Sequence, residues 1–218
     1  MTPDLKKKLN LYEVDDVDYE EFRDVLTDNA TLNNLGIALS QNGKFDQAMN
    51  VYQTLLILKP NSYGVYNNIG CALQKNLKHT EALGIFNRAI KLQPQLAEAH
   101  NNLGITFQSL SKLNDAEKSI SRAIALKPDF TEAYFNLGIT LNDLGKLAKA
   151  ETSYLEAIKL KPNHWNAHFN LGSVMQNSGK IDRAEESYSN AIKCKPDFAE
   201  AHNNLGIIQD RKSTRLNS

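Results

Sequence analysis

The residues best placed to do chemistry are six asparagines: Asn34, Asn68, Asn102, Asn136, Asn170 and Asn204, each immediately before a Leu-Gly or Ile-Gly pair. A carboxamide offers both a donor and an acceptor, so a file of them can pair with the backbone of an extended peptide whatever its side chains. The same amides could equally bridge one structural unit to the next, and the sequence leaves both readings open. Glu98, Glu132 and Glu200 precede three of these asparagines, while Gln74, Gln108, Asn142 and Gln176 follow four of them. The candidate surface is therefore polar and mildly acidic, suited to an extended or basic peptide.

Other chemistries lack their groups. His164 and His168 are four apart, but no third ligand accompanies them, so no metal site is expected. His100, His168 and His202 fill the slot held elsewhere by Tyr66 and Tyr134 and read as packing residues, as does Trp165. Cys71 and Cys194 define neither a disulfide framework nor a metal site and are expected to be small buried hydrophobes. No Ser/His/Asp or Cys/His set converges and no glycine-rich phosphate loop is present, so neither catalysis nor a cofactor is expected. A formal net charge of zero lacks the basic excess that a nucleic-acid or membrane binder needs. The start resembles no secretory signal, and the longest apolar run, Leu55-Leu56-Ile57-Leu58, falls far short of the roughly 20 residues that span a bilayer. The expected setting is cytoplasmic and the expected partner a protein or peptide.

What must position the asparagines is a repeat. Leu35-Gly36, Ile69-Gly70, Leu103-Gly104, Leu137-Gly138, Leu171-Gly172 and Leu205-Gly206 recur every 34 residues. Ala48, Ala82, Ala116, Ala150 and Ala184 keep the same step, and so do Pro60, Pro94, Pro128, Pro162 and Pro196. Three series in one register define units 29–62, 63–96, 97–130, 131–164 and 165–198, with a partial sixth over 199–209. Within a unit, Ala133, Leu137, Thr140 and Leu141 mark the face of a first helix, and Ala150, Tyr154, Ala157 and Ile158 that of a second. Gly43, Gly145 and Gly179 supply left-handed turn residues, whereas Leu77 and Ser111 hold that slot in two units, where the turn should be strained or differently closed. A helical glycine costs roughly 1 kcal/mol against alanine. Six of them imply close approach, expected here between the bare glycine of the first helix and the small alanine of the second. Proline ends the second helix, and stacked hairpins share one continuous core.

The pattern Ala97-Glu98-Ala99-His100-Asn101-Asn102-Leu103-Gly104, followed by Ala116, Ala123 and Pro128, resembles the tetratricopeptide repeat. The resemblance covers about 29–209, departing only at Leu55 and Ile120. It implies an all-α fold, an α-α superhelix of antiparallel helix pairs whose first helices line a concave groove. The asparagine file is similar to the ladder in the repeat region of O-linked N-acetylglucosamine transferases. The carboxylate clamp of chaperone-binding members is not matched, because Asn67, Asn101 and Phe135 stand where lysine would be.

The ends depart from the register. Residues 1–28 are acidic, and Tyr19, Phe22, Val25 and Leu26 predict a capping helix over 17–27. Residues 210–218 resemble a translated sequencing adapter, and the natural protein is expected to continue past Gln209. The function expected first is an interaction scaffold that holds a partner segment in its groove. The alternative is the amino-terminal recognition part of a larger glycosyltransferase, sulfotransferase or methyltransferase. Exposed solenoid ends also offer surfaces for self-association.

Overall fold

The 34-residue rhythm is written into the backbone angles. Residues 29–216 are described in the computed structural model, with side chains through Ser213. The capping helix expected over 17–27 lies outside the described residues. Eleven α-helices account for nearly all of them, and no strand occurs among them: α1 (Asn29–Gln41), α2 (Phe45–Leu58), α3 (Tyr63–Lys75), α4 (His79–Leu92), α5 (Ala97–Ser109), α6 (Leu113–Leu126), α7 (Thr131–Asp143), α8 (Leu147–Leu160), α9 (Trp165–Asn177), α10 (Ile181–Cys194) and α11 (Ala199–Leu216). The expected all-α class of paired helices is what the protein adopts.

The second helices all stop the same way. Lys59, Gln93, Lys127, Lys161 and Lys195 take extended backbone, with φ between −136° and −141°. Each precedes a proline, whose ring excludes the helical conformation from the residue before it and whose nitrogen cannot continue the hydrogen-bond ladder. The turns inside the hairpins need a left-handed residue: Gly43, Gly145 and Gly179 have φ of 76°, 71° and 73°. Leu77 and Ser111 occupy the same region at 59° and 57°, despite carrying a Cβ. At Leu77 the closure is the ordinary one: Leu77 N donates to Gln74 O at 3.0 Å and Lys78 N to Leu73 O at 2.9 Å, as Gly145 N and Lys146 N do to Asn142 O and Leu141 O. Strain, rather than a different closure, is the consequence of leucine at that position.

The chain divides into two compact units, Met1–Leu110 and Ser111–Ser218. In the first, Leu32, Tyr52, Leu55, Ile69, Leu73, Phe86 and Leu103 form the core with Ala48, Ala72 and Ala82. In the second, Leu141, Tyr154, Leu171, Val174, Met175, Tyr188 and Ile208 do so with Ala150, Ala157, Ala167 and Ala184. The helical faces expected around Ala133 and Ala150 point inward, with Leu137 and Ile158 half-buried.

The glycines in the first helices do not meet alanine, as the sequence suggested. A Cβ placed on Gly36, Gly70, Gly138 or Gly172 would come within 2.5–2.7 Å of a ring carbon of Tyr52, Phe86, Tyr154 or Tyr188. Each ring is almost wholly buried and lies 16 residues after its glycine, far enough to cross the turn and return on the facing helix. The close approach is therefore glycine against aromatic ring. The alanines, such as Ala48 and Ala150, are buried one helical turn earlier on the same helices.

Helix α11 also departs from expectation. The first helices before it are 13 residues long, but α11 runs for 18, through Leu216. Nothing in Asp210–Leu216 breaks a helix, and Lys212 pairs with Asp182 and Glu185 at 2.5 Å each.

Candidate functional site

In the first unit, helices α1, α3 and α5 each bring two consecutive asparagines to corresponding positions: Asn33-Asn34, Asn67-Asn68 and Asn101-Asn102. Asn68 Nδ2 donates to Asn33 Oδ1 at 2.8 Å. One step on, Asn102 Nδ2 donates to Asn67 Oδ1 at 3.1 Å and to Cys71 Sγ at 3.3 Å. The amide nitrogen of each thus reaches back to an asparagine oxygen on the preceding first helix. Gln74 bridges in the other direction, with Nε2 donating to Asn102 O at 2.9 Å and Thr106 Oγ1 at 2.8 Å. Asn34, the first asparagine of the file, is exposed. Of the two readings left open by the sequence, the bridge from one repeat to the next is present at Asn68 and Asn102.

These helices border a hollow of about 420 Å³, lined by Asn29, Asn33, Asn67 and Asn68, with Lys59 and Glu98 among its charged neighbours. Its room comes from Ala30 and Gly64, which stand where later repeats carry Glu98, Glu132 and Glu200. Asn29 Oδ1 is buried without a hydrogen-bond partner. A buried acceptor left unpaired is a group that a ligand donor can satisfy.

The second unit treats the same positions differently. Asn170 bonds to the Tyr154 hydroxyl, whose pKa is raised well above the ordinary value by burial and by Asp143, the Asn170 bond opposing them. Gln176 Oε1 accepts from the Tyr188 hydroxyl at 2.9 Å, and Ser173 Oγ lies 3.2 Å from that hydroxyl. Asn136 is half-buried and its carbonyl accepts from Thr140 Oγ1 at 2.9 Å. Asn142 and Asn204 are half-buried, as Gln108 is in the first unit, while Glu132 and Glu200 are exposed. Where the first unit has Asn33, Asn67 and Asn101, the second has Phe135 and Phe169 before Asn203 restores the amide. Phe135 packs 4.8 Å from the His164 ring and Phe169 4.8 Å from Phe198, between centroids. Trp165 meets Phe198 edge-on at 4.7 Å, and Lys195 Nζ sits 4.3 Å from the Trp165 ring centre. Phe169 escaped notice in the sequence, although it occupies the same step of the repeat as Phe135.

The histidines are tied by hydrogen bonds as well as packed. His100, His168 and His202 place Nε2 at 3.0, 2.9 and 2.8 Å from Pro94 O, Pro162 O and Pro196 O, and Tyr66 donates to Pro60 O at 3.2 Å. A carbonyl only accepts, so the proton must be on Nε2. Each ring thus fastens a first helix to the proline turn before it. His164 instead caps α9, with Nδ1 accepting from Ala167 N at 3.2 Å. Among the described residues no cluster of three or more His, Cys, Asp or Glu could hold a metal ion, and no helix is long and apolar enough to cross a membrane.

Both cysteines are free of disulfides and half-buried, less enclosed than the small buried hydrophobes expected, with Cys71 packed against the core of the first unit. Burial pushes the Cys71 thiol up to about 11, Lys75 pulling it back, and pushes Tyr52 up to about 12 with Cys71 adding to the effect. Such groups stay neutral and are poor nucleophiles. Glutamates on the second helices carry ion pairs between repeats. Lys146 bonds Glu117 at 2.6 Å, while Lys180 and Arg183 bond Glu151 at 2.7 and 2.8 Å. Glu117, Glu151 and Glu185 recur at the 34-residue step, a signal that was available.

Sequence models described as tetratricopeptide repeat match residues 33–97, 97–130 and 120–152, and one described as TPR repeat matches 140–179 and 177–212. The chain belongs to the tetratricopeptide-repeat family. No curated protein matches it. Among solved structures, this tetratricopeptide-repeat chain is similar to MamA, at 25% identity over 76% of this chain and 96% of that one, with a TM-score of 0.67. It is also similar to YrrB, described as a TPR protein with an unusual peptide-binding site, at 23% identity over 85% and 95%, TM-score 0.64. PilF of Pseudomonas aeruginosa shares the fold at 18% identity over 87% of both chains, with a TM-score of 0.76.

Proposed function

We propose that this tetratricopeptide-repeat chain is a non-catalytic scaffold that holds an extended segment of a partner protein along its first helices. The observation carrying the reading is the hollow of about 420 Å³ beside Asn33, Asn67 and Asn68, where successive repeats present amides at one spacing. An extended chain exposes a donor and an acceptor at every residue, and evenly spaced amide oxygens can take its N–H groups without regard to side-chain identity. The description of YrrB as having a peptide-binding site supports the same use of the fold.

A library of twelve-residue peptides selected against the full chain provides the probe. Fluorescence anisotropy then compares the chain with its Asn34→Ala and Asn68→Ala variants. Asn34→Ala and Asn68→Ala are each expected to weaken the selected peptide about tenfold, the loss typical of a central contact. Helix content should hold. Unchanged affinity in both variants, with the fold intact, would remove the asparagines from the site.

A further inference from the structure

Helix α2 has the least charge of the second helices. Asp46 is its one charged residue, whereas α4, α6, α8 and α10 each carry three or more. Ile57 stands at the repeat step where Lys91, Lys159 and Lys193 are all exposed. Lysine at that step shows that the position faces outward in other repeats too, so the exposure of Ile57 belongs to the residue and not to the end of the array. Ile57 is 50% exposed, Leu58 53% and Tyr63 43%. Among the described residues these are three of the four most exposed large apolar side chains, and they flank one turn, at Pro60. Scattered apolar residues need no cover, but a group of three does. Lys59 and Lys91, at corresponding ends of α2 and α4, are exposed and make no ion pair among the described residues. Over residues 29–110 six basic side chains stand against three acidic ones.

One segment of this same chain complements that surface. Residues 11–28 carry eight acidic side chains and one basic, Arg23, and Tyr19, Phe22, Val25 and Leu26 recur at helical spacing. The segment ends at Asp28, next to Asn29, which lines one hollow together with Leu55 and Lys59 at the end of α2. Eleven residues at helical rise cover about 16 Å, more than the roughly 10 Å breadth of a helix, so residues 17–27 can cross from Asn29 to the Pro60 turn. We propose that residues 17–27 are an intramolecular strap, in which Tyr19, Phe22, Val25 and Leu26 cover Ile57, Leu58 and Tyr63. The acidic side chains between them face Lys59 and Lys91. Another acidic segment with an apolar stripe binds there only by displacing the strap. The contact does not use the asparagine file and stands or falls separately from it.

The test uses the full chain, isotopically labelled, with a soluble paramagnetic agent that broadens the methyl signals of exposed residues. Leu77, 77% exposed, should broaden, while Ile57 and Leu58 should be spared. Phe22→Asp combined with Leu26→Asp should remove that protection and leave the behaviour of Leu77 unchanged. Ile57→Lys, which places there the residue of three later repeats, should shift the amide signals of Phe22 and Leu26. Broadening of Ile57 and Leu58 to the extent of Leu77 in the unaltered chain would overturn the proposal. So would protection that survives the double substitution or fades on dilution, because the cover would then be something other than this chain's own segment.

Discussion

A methyl group added at Gly138 would fall 2.5 Å from Tyr154 Cε1, while the same group at Gly206 would touch nothing. Overpacking a filled site costs roughly 1–3 kcal/mol, and alanine returns about 1 kcal/mol of helix propensity. Gly138→Ala should therefore destabilise the chain by about 1 kcal/mol, and Gly206→Ala should stabilise it by up to about 1 kcal/mol. Urea unfolding measures both, and a shift in the same direction for the two would contradict the ring-in-seat packing. His164 makes a second residue-scale prediction. Burial, then Lys161, lowers its pKa below the ordinary histidine value, and its neutral Nδ1 caps α9. The unfolded chain therefore binds the proton more readily, so this contribution is present above an unfolded pKa of about 6.5 and is lost as the pH falls below it. His164→Asn, which can cap without titrating, should flatten the loss of melting temperature between pH 7 and 5. An equal loss in both proteins would remove His164 from that dependence.

Helix boundaries were legible because punctuation in a repeat is chemical. Each proline forces the residue before it into extended backbone, and the five matching φ values follow from that one ring constraint. Leu77 was legible too, since no side chain sits comfortably at a φ of 59°. Its side chain is 77% exposed and packs little, so Leu77→Gly should raise stability by about 1 kcal/mol in the same unfolding experiment. Equal or lower stability would mean that the leucine makes up the strain elsewhere. The glycine's partner was not legible, because one-dimensional spacing does not say whether the residue 12 or 16 positions on faces it. Alanine and aromatic both recur in register, and only the crossing of the two helices chooses between them.

Across each unit, the asparagine file was visible in the sequence, but its orientation was not. An amide can turn its donor toward the neighbouring repeat or toward a ligand, and the spacing is the same in either case. Bonds such as Asn68 to Asn33 commit an amide hydrogen to the neighbouring repeat. The change from Asn33, Asn67 and Asn101 in the first unit to an aromatic in the second was legible at Phe135, and Phe169 escaped notice because attention fell on the invariant neighbour. It alters the chemistry from amide to aromatic at those two positions of one series of helices.

Side-chain amide resonances test the scaffold reading most directly. With a library-selected peptide added to the isotopically labelled chain, the amide signals of Asn34 and Asn68 should shift in a saturable way, while those of Asn114 and Asn190, on second helices, stay in place. Saturable binding that moves Asn114 or Asn190 and leaves Asn34 and Asn68 unmoved would put the partner on the opposite set of helices and contradict the account.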